Sequence, residues 1–242
     1  MYLLYYYILA IYCTHTVCLP AKVWLPSQRN TGVPLRPNTR GVFQCLPSRY
    51  THLKTTIAKV ISTVGHPFLT VPVFAVFLLF SIESTQRAIY LSLLIVGGIF
   101  LPIGVRTILG VRKGTYTNLD VSDQAQRQKW FVATTLLLLI VTIIVWLTNQ
   151  EWTLRLALAC ALVLLVIAQL VNRRIKASMH LAFHAFLGFL ILSLNWMAGV
   201  CFLLFALPLA WSRIHLGRHI WKEVVVGMAL GTLLGITFWV LH

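Results

Sequence analysis

The sequence predicts an all-α, multi-pass bundle of transmembrane helices with about six to seven spans. Hydrophobic residues make up 59% of the 242 residues and charged residues only 10%, whereas soluble domains carry about a quarter charged residues. The apolar residues form long continuous runs and do not alternate with polar ones, as they would in the strands of a membrane barrel. These observations exclude an ordinary soluble domain.

Runs free of Asp, Glu, Lys and Arg mark the individual spans, because a helix needs about 20 apolar residues to cross the hydrocarbon core. The run 177–212 is too long for one crossing, since its 36 residues would extend about 54 Å as a single helix. We therefore expect a break near residues 193–196 and two short spans there, which brings the predicted number to seven. The other spans are residues 60–82, 88–105, 130–150, 156–171 (with Trp152 and Thr153 as interface residues) and 224–241.

Two segments precede this membrane-embedded domain of residues 60–242. Residues 1–20 are apolar and rich in tyrosine but lack the positive charges that open a secretory signal, so a signal, an anchor and an upstream mis-start all stay open. Residues 21–59 are largely polar and contain four prolines, which predicts an irregular, basic lead-in. The five cysteines have no paired ligand spacing, so we predict no disulfide framework, no metal site and no cofactor.

Counting the crossings places nearly all polar residues on one face of the membrane. The lead-in shares that face with the loops 106–129, 171–177 and 212–223, and only short turns lie on the other face. The 20 Lys and Arg against five Asp and Glu give a net charge of +15. These cations stand between apolar runs and form no basic patch, which argues against a nucleic-acid partner. The expected anionic partner is a lipid head group or a phosphate group.

A candidate catalytic cluster precedes the last span. His219 and Glu223 are four residues apart and therefore neighbours on one helical face, so the carboxylate can hold one imidazole nitrogen and leave the other as a nucleophile. Arg213 and Arg218 bring forked donors suited to phosphate oxygens, and Gly217 permits a tight turn between them. The first amides of the last helix add further anion donors. The alternative interpretation is a simple salt bridge with arginines that only anchor the helix at the interface.

This stretch, S-R-x-x-x-G-x-H-x-x-x-E, resembles the third signature of the type-2 phosphatidic acid phosphatase superfamily, whose usual form ends in Asp. In that family the Arg binds phosphate, the His is the nucleophile and the acid orients it. The resemblance implies these roles for Arg213, His219 and Glu223. Glu in place of Asp lengthens the reach by one methylene and leaves the chemistry intact.

The family's second signature, S-G-H, has its counterpart at Ser178-Met179-His180. The resemblance implies that Ser178 binds phosphate and that His180 is the general acid for the leaving group. Met179 departs from the family's glycine, although its backbone amide is still a donor. His184, one turn beyond His180, raises the alternative of a two-histidine metal face, but no third ligand is evident and a packed histidine is the expected role.

The first signature of the family, K-x6-R-P, is absent. Arg127 is followed by Gln128 rather than Pro, although the loop 112–127 resembles that of a divergent bacterial branch of the superfamily. Arg127 and Lys176 are equally good candidates for the missing phosphate-binding cation. Arg173 and Arg174 are further rivals on the same face.

The resemblance covers about residues 60–242 and implies an integral protein of a bacterial cell membrane that hydrolyses a lipid phosphomonoester or diphosphate through a phosphohistidine. Its implied partners are the bilayer and a membrane lipid phosphate; the particular lipid and the oligomeric state stay open. One alternative is a non-catalytic protein that binds or transports anionic lipid, and another is a phosphotransferase. The side of the active site also stays open, because the family usually places it outside the cytoplasm whereas the basic lead-in favours the inside.

Overall fold

The structure is a computed structural model that describes residues 49–117, 121 and 123–242, and the regular elements in this part of the chain are all helices. The predicted all-α class is confirmed. Residues 1–20 and the first part of the lead-in lie outside the described residues. The elements are α1 (Arg49–Val64), α2 (Pro67–Ile82), α3 (Thr85–Ser92), a π-helix, π1 (Leu93–Phe100), α4 (Leu101–Arg112), α5 (Gln124–Leu147), α6 (Trp152–Val171), α7 (Met179–Leu194), α8 (Trp196–Leu204), α9 (Ala206–His215) and α10 (Trp221–Leu241).

Within the described residues, five continuous helical stretches are long and apolar enough to cross a membrane, and the bent pair α1–α2 makes a sixth candidate. Helix α7 is apolar but shorter, with 16 residues. The expected break near residues 193–196 is confirmed at Asn195, whose side chain caps α8 by accepting a hydrogen bond from the Ala198 amide at 2.9 Å. The chain is an integral membrane protein. The five stretches are Thr85–Arg112, Ala125–Leu147, Trp152–Val171, Trp196–His215 and Trp221–Leu241.

Helix α1 corrects the prediction of an irregular lead-in, because residues 49–59 are helical. The helix has an apolar stripe whose members recur at intervals of four, three and four, and this spacing is that of one helical face. Because polar residues separate the members of this stripe, a search for long charge-free runs does not find it. The members are Leu53, Ile57, Val60 and Val64.

The predicted span 60–82 is bent between α1 and α2, by 41°. Pro67 begins α2, a position that proline favours because its missing amide hydrogen would have no helical partner there. The preceding residue, His66, caps the helix through Nδ1, which accepts a hydrogen bond from the Phe68 amide at 3.2 Å. The bend therefore fixes the imidazole of His66 at the end of the bundle.

Helix α10 packs against α7 through a face of glycines, Gly227, Gly231 and Gly235. A Cβ atom at any of these three positions would overlap atoms of α7 or of its N-terminal cap. Small residues at this four-residue spacing allow two helix backbones to approach closely inside a membrane. The approach brings the first turns of α7 and α10 together, where the amide of Ser178 donates to the carbonyl of Glu223 at 3.0 Å.

Candidate active site

A polar pocket of about 70 Å³ lies at the end of the bundle. It is lined by the starts of α2, α5 and α7, by the end of α9 and by the loop before α10. Apart from the start of α2, which lies inside the predicted span 60–82, these segments lie in or next to loops that the count of crossings assigned to one face. The polar side chains in its lining are His66, Arg127, Lys176, His180, Arg213, Arg218 and His219.

His219 and Glu223 are in contact, as predicted, but His219 lies two residues before α10 and not on a helical face with Glu223. Nδ1 of His219 lies 2.8 Å from Oε2 of Glu223, and the same oxygen accepts from the amide of Ile220 at 3.3 Å. Both side chains are largely buried, with 6% and 16% of their surfaces exposed. The helix start and the imidazole are therefore held by one carboxylate.

The environment of His219 keeps its imidazole neutral. Burial lowers the pKa of His219 from 6.5 to about 4, and the positive charge of Arg213 acts in the same direction, against the opposing effect of Glu223. Because a carboxylate only accepts hydrogen bonds, Nδ1 carries the ring proton and Nε2 carries a lone pair. A neutral, oriented imidazole of this kind is suited to attack an electrophile.

Arg213 is buried at the end of α9 beside this pair. Its Nη1 donates to Oγ of Ser62 at 2.7 Å, and its carbonyl accepts from the amides of Arg218 and His219 at 3.1 and 3.3 Å. Gly217 turns the chain between them with a φ of +63°, which glycine adopts without strain. The guanidinium and the imidazole are thereby held in one compact loop, as the sequence suggested.

Ser62 is a site residue that sequence reasoning missed, because it contacts Arg213 across 151 positions of the chain. The one local sign is a pair of small residues, Ala58 and Ser62, which are both buried and lie four apart on α1. Small residues at that spacing indicate helix packing rather than catalysis. The hydroxyl group of Ser62 indicates a role in the site only once its contact with Arg213 is known.

Ser178 is completely buried at the start of α7. Its amide binds the carbonyl of Glu223, whereas its Oγ has no hydrogen-bond partner among the described residues. A buried hydroxyl without a hydrogen-bond partner destabilises the folded state unless a ligand or a water molecule bonds to it. Ser178 does not itself line the pocket, but its two neighbours, Ala177 and Met179, do.

His180, two residues after Ser178, lines the pocket. Its ring meets the ring of His66 edge to face, with 4.7 Å between the ring centroids. His66 is a second residue that sequence reasoning missed; the dipeptide His-Pro at a helix start indicates only a cap. The structure thus adds a third imidazole to the pocket beside His180 and His219.

Arg127 and Lys176 both line the pocket, so the two candidate cations are present together. Arg127 is buried, and its Nε has no partner within the part of the chain that the structure describes. The Nζ of Lys176 donates to the carbonyl of Arg218 at 3.2 Å. Burial lowers the pKa of Lys176, and the positive charge of Arg127 lowers it further. A bound anion would relieve this crowding of cations.

The remaining candidates lie elsewhere. Arg173 and Arg174 are exposed and do not line the pocket. His184 is buried in α7, where Nε2 donates to the carbonyl of Phe202 at 2.6 Å and the ring stacks on the Phe202 ring. The expected packing role of His184 is therefore observed. No group of three His, Cys, Asp or Glu side chains that could hold a metal occurs in residues 49–117, 121 and 123–242.

The predicted site residues come together at this pocket. Five of the seven line the pocket. The other two, Ser178 and Glu223, lie next to it: Glu223 contacts His219 through its carboxylate, and its backbone carbonyl accepts a hydrogen bond from the Ser178 amide. The arrangement offers an oriented neutral imidazole and several cations to an anion. Comparisons of the chain with family models, with curated proteins and with solved structures found no match. The chemistry of the pocket is therefore the basis for any assignment of function.

Proposed function

We propose that the chain is a membrane-bound phosphatase that hydrolyses a lipid phosphomonoester or diphosphate through a phosphohistidine intermediate. The observation that carries the proposal is the neutral His219, oriented by Glu223 at 2.8 Å beside a pocket with cations. The resemblance of the 212–223 and 178–180 stretches to the type-2 phosphatidic acid phosphatase superfamily supports the same activity. A bacterial cell membrane is the proposed location.

In the first step, Nε2 of His219 attacks phosphorus in line with the leaving oxygen. A nitrogen–phosphorus bond forms as the phosphorus–oxygen bond to the lipid breaks, and His180 gives a proton to the departing oxygen. Arg213, Arg127 and Lys176 stabilise the negative charge on the equatorial oxygens. The proposed role of Ser178 Oγ is to donate to one of them.

In the second step, water hydrolyses the phosphohistidine. His180, now the base, takes a proton from the water as its oxygen attacks phosphorus, and the nitrogen–phosphorus bond breaks to release inorganic phosphate and the neutral imidazole. Glu223 stabilises the cationic phosphohistidine between the two steps because its carboxylate faces Nδ1. The positive charge needed by both transition states comes from side chains of this pocket, and the proposal requires no metal ion or cofactor.

The test is phosphate release from dodecyl phosphate by purified protein in detergent. We expect His219→Ala to lower turnover by at least about 10³-fold and to abolish the acid-labile phosphoenzyme that is trapped from radiolabelled substrate. His215→Ala is the matched control, because His215 lies in the same loop region but is exposed and stacks on Trp211. Near wild-type turnover in folded, membrane-inserted His219→Ala would contradict the mechanism.

The alternative of a protein that binds or transports anionic lipid without hydrolysis uses the same cations but gives no role to the His219–Glu223 pair. Wild-type protein that binds the phosphate lipid and releases no phosphate would favour this alternative. A phosphotransferase differs only in the group that attacks the phosphohistidine. Phosphorylation of an added alcohol in preference to release of inorganic phosphate would identify that activity.

A further inference from the structure

A second cavity, of about 130 Å³, lies inside the bundle between α2, π1, α5, α6 and α7. Apart from Thr134, whose hydroxyl donates to the carbonyl of Trp130, every residue in its lining is apolar. We call it the apolar chamber. Packed interiors contain few voids of this size, because the lining side chains lose contacts with one another. An apolar void is suited to an apolar occupant.

The apolar chamber adjoins the candidate active site. Pro67, Phe68, Trp130 and Met179 line both cavities. The Phe68 and Trp130 rings meet edge to face at 5.7 Å, and the indole of Trp130 is fixed by a hydrogen bond from Nε1 to Oγ1 of Thr107 at 3.1 Å. The aromatic pair therefore lies at the boundary between the polar pocket and the apolar chamber, and we call this boundary the throat.

The apolar chamber extends from this throat toward the opposite face of the bundle. Phe68 at the throat and Leu78 at the far end are ten residues apart on α2, which corresponds to about 15 Å along a helix. An extended hydrocarbon advances roughly 1.25 Å per carbon given C–C bonds of about 1.5 Å, so this length holds about 12 carbons. Part of the wall is π1, and π segments are uncommon and recur at functional sites.

We propose that the apolar chamber binds one linear hydrocarbon chain of the lipid phosphate whose phosphate group lies in the polar pocket. This inference rests on the proposed function, since it takes the phosphate pocket as the anchor of the substrate. Leu78, Leu154 and Leu190 line the end of the apolar chamber that is farthest from the polar pocket, and we expect these side chains to limit the length of the bound chain. The substrate class is a phosphate or diphosphate on a linear alkyl chain, selected by chain length.

Filling the apolar chamber at different depths tests this selection. On α6, Ala161 lies four residues before Leu165 and Ala157 eight residues before it, and all three line the chamber. Leu165 is nearest the polar pocket, so the two alanines are about 6 and 12 Å deeper. We expect Ala161→Phe to reduce kcat/KM for dodecyl and longer alkyl phosphates at least tenfold while butyl phosphate stays within about twofold. Ala157→Phe should move the same limit to longer chains.

The matched control is Val163→Phe, because Val163 lies on the same helix but is exposed on its outer side. This variant should keep the chain-length profile of the wild type. Ala161→Leu is the milder variant in case the phenylalanine prevents folding, and it should change the profile in the same direction. An unchanged profile in folded Ala161→Phe and Ala157→Phe would overturn the proposal.

A binding experiment separates this inference from the proposed function. Non-hydrolysable alkylphosphonates with brominated chains should quench the fluorescence of Trp130, detected as the difference between wild type and Trp130→Phe, with an affinity that rises with chain length to about 12 carbons. If the wild type binds them in this way, and Ala161→Phe weakens the binding of long chains, but no phosphate is released from any alkyl phosphate, then the phosphatase proposal fails and the chamber assignment holds. Binding without dependence on chain length overturns the chamber assignment.

Discussion

One oxygen atom, Oε2 of Glu223, accepts hydrogen bonds from both the imidazole of His219 and the amide of Ile220. The carboxylate therefore belongs to the helix start as well as to the imidazole. An aspartate at this position would be one methylene shorter and would have to approach from a different backbone position. The Glu that departs from the family signature is accordingly matched to the geometry of this loop.

The titration of His219 checks its electrostatic environment. Because burial lowers the pKa of His219 to about 4, the neutral Nδ1–H form should persist as the pH falls through 6.5 and be lost only near pH 4. Nitrogen-15 NMR of histidine-labelled protein measures both the tautomer and the midpoint, with His219→Gln to assign the signal. A midpoint near the ordinary value of 6.5 would contradict the buried, Arg213-facing position.

Local sequence patterns predicted some residues of the site and could not predict others. His219 and Glu223 were predictable as a pair from their spacing, although His219 precedes α10 and Glu223 reaches back to it from the first turn of that helix. Ser62 and His66 were not, since their roles arise from contacts with Arg213 and His180 that distant parts of the chain make. Only tertiary packing makes a serine on α1 part of the site.

Among the helices too, features that show in a local sequence pattern were predicted, and features that depend on packing were not. Most spans were predictable because a run without charges has few ways to satisfy its backbone except a helix in the bilayer. Helix α1 was not, because its apolar residues are interrupted by polar ones and only one side carries the stripe. The apolar chamber between α2, π1, α5, α6 and α7 was also beyond prediction, since a cavity depends on how helices pack.

The contact between α7 and α10 supplies a test at the level of these helices. A Cβ at Gly231 would overlap the carbonyl oxygen of Ala182, so Gly231→Ala should destabilise the protein by about 1–3 kcal/mol and also lower activity by separating the first turns of the two helices. Denaturant unfolding in micelles and phosphate release measure the two effects. The control is Gly97→Ala in π1, where no described atom beyond the neighbouring residues and backbone of its own helix lies within 4 Å of the added carbon. Equal stability of the two variants would refute close packing here.

For the whole molecule, the distribution of positive charge bears on orientation. Arg87 and Arg155 lie near the turns of the opposite face, whereas a larger set of described cations lies on the side of the candidate active site without lining the pocket. Catalytic need does not explain these residues, and the positive-inside rule then favours a cytoplasmic site. They are Lys54, Lys59, Arg106, Arg112, Lys113, Lys129, Arg173, Arg174 and Lys222.

Cysteine labelling in intact cells measures this orientation. In a variant that lacks the native cysteines, we expect Lys113→Cys to be protected from a membrane-impermeant reagent and Gln86→Cys, on the opposite face, to react. Permeabilised cells should label both, which shows that each position is accessible. The reverse pattern would place the candidate site outside the cytoplasm, as the resemblance to the phosphatase superfamily implies.

Within the described residues, α2, α5, α7 and α10 all begin beside the polar pocket. Aligned peptide dipoles give each helix start roughly half an elementary positive charge, part of which the carboxylates of Asp123 and Glu223 offset at α5 and α10. This contribution belongs to the backbone, and neither a change of pH nor a side-chain substitution removes it. Part of the attraction for an anion is therefore built into the direction in which the chain crosses the membrane. Successive neutralisation of the pocket cations should accordingly weaken anion binding in steps and leave a residual affinity that is independent of lysine ionisation.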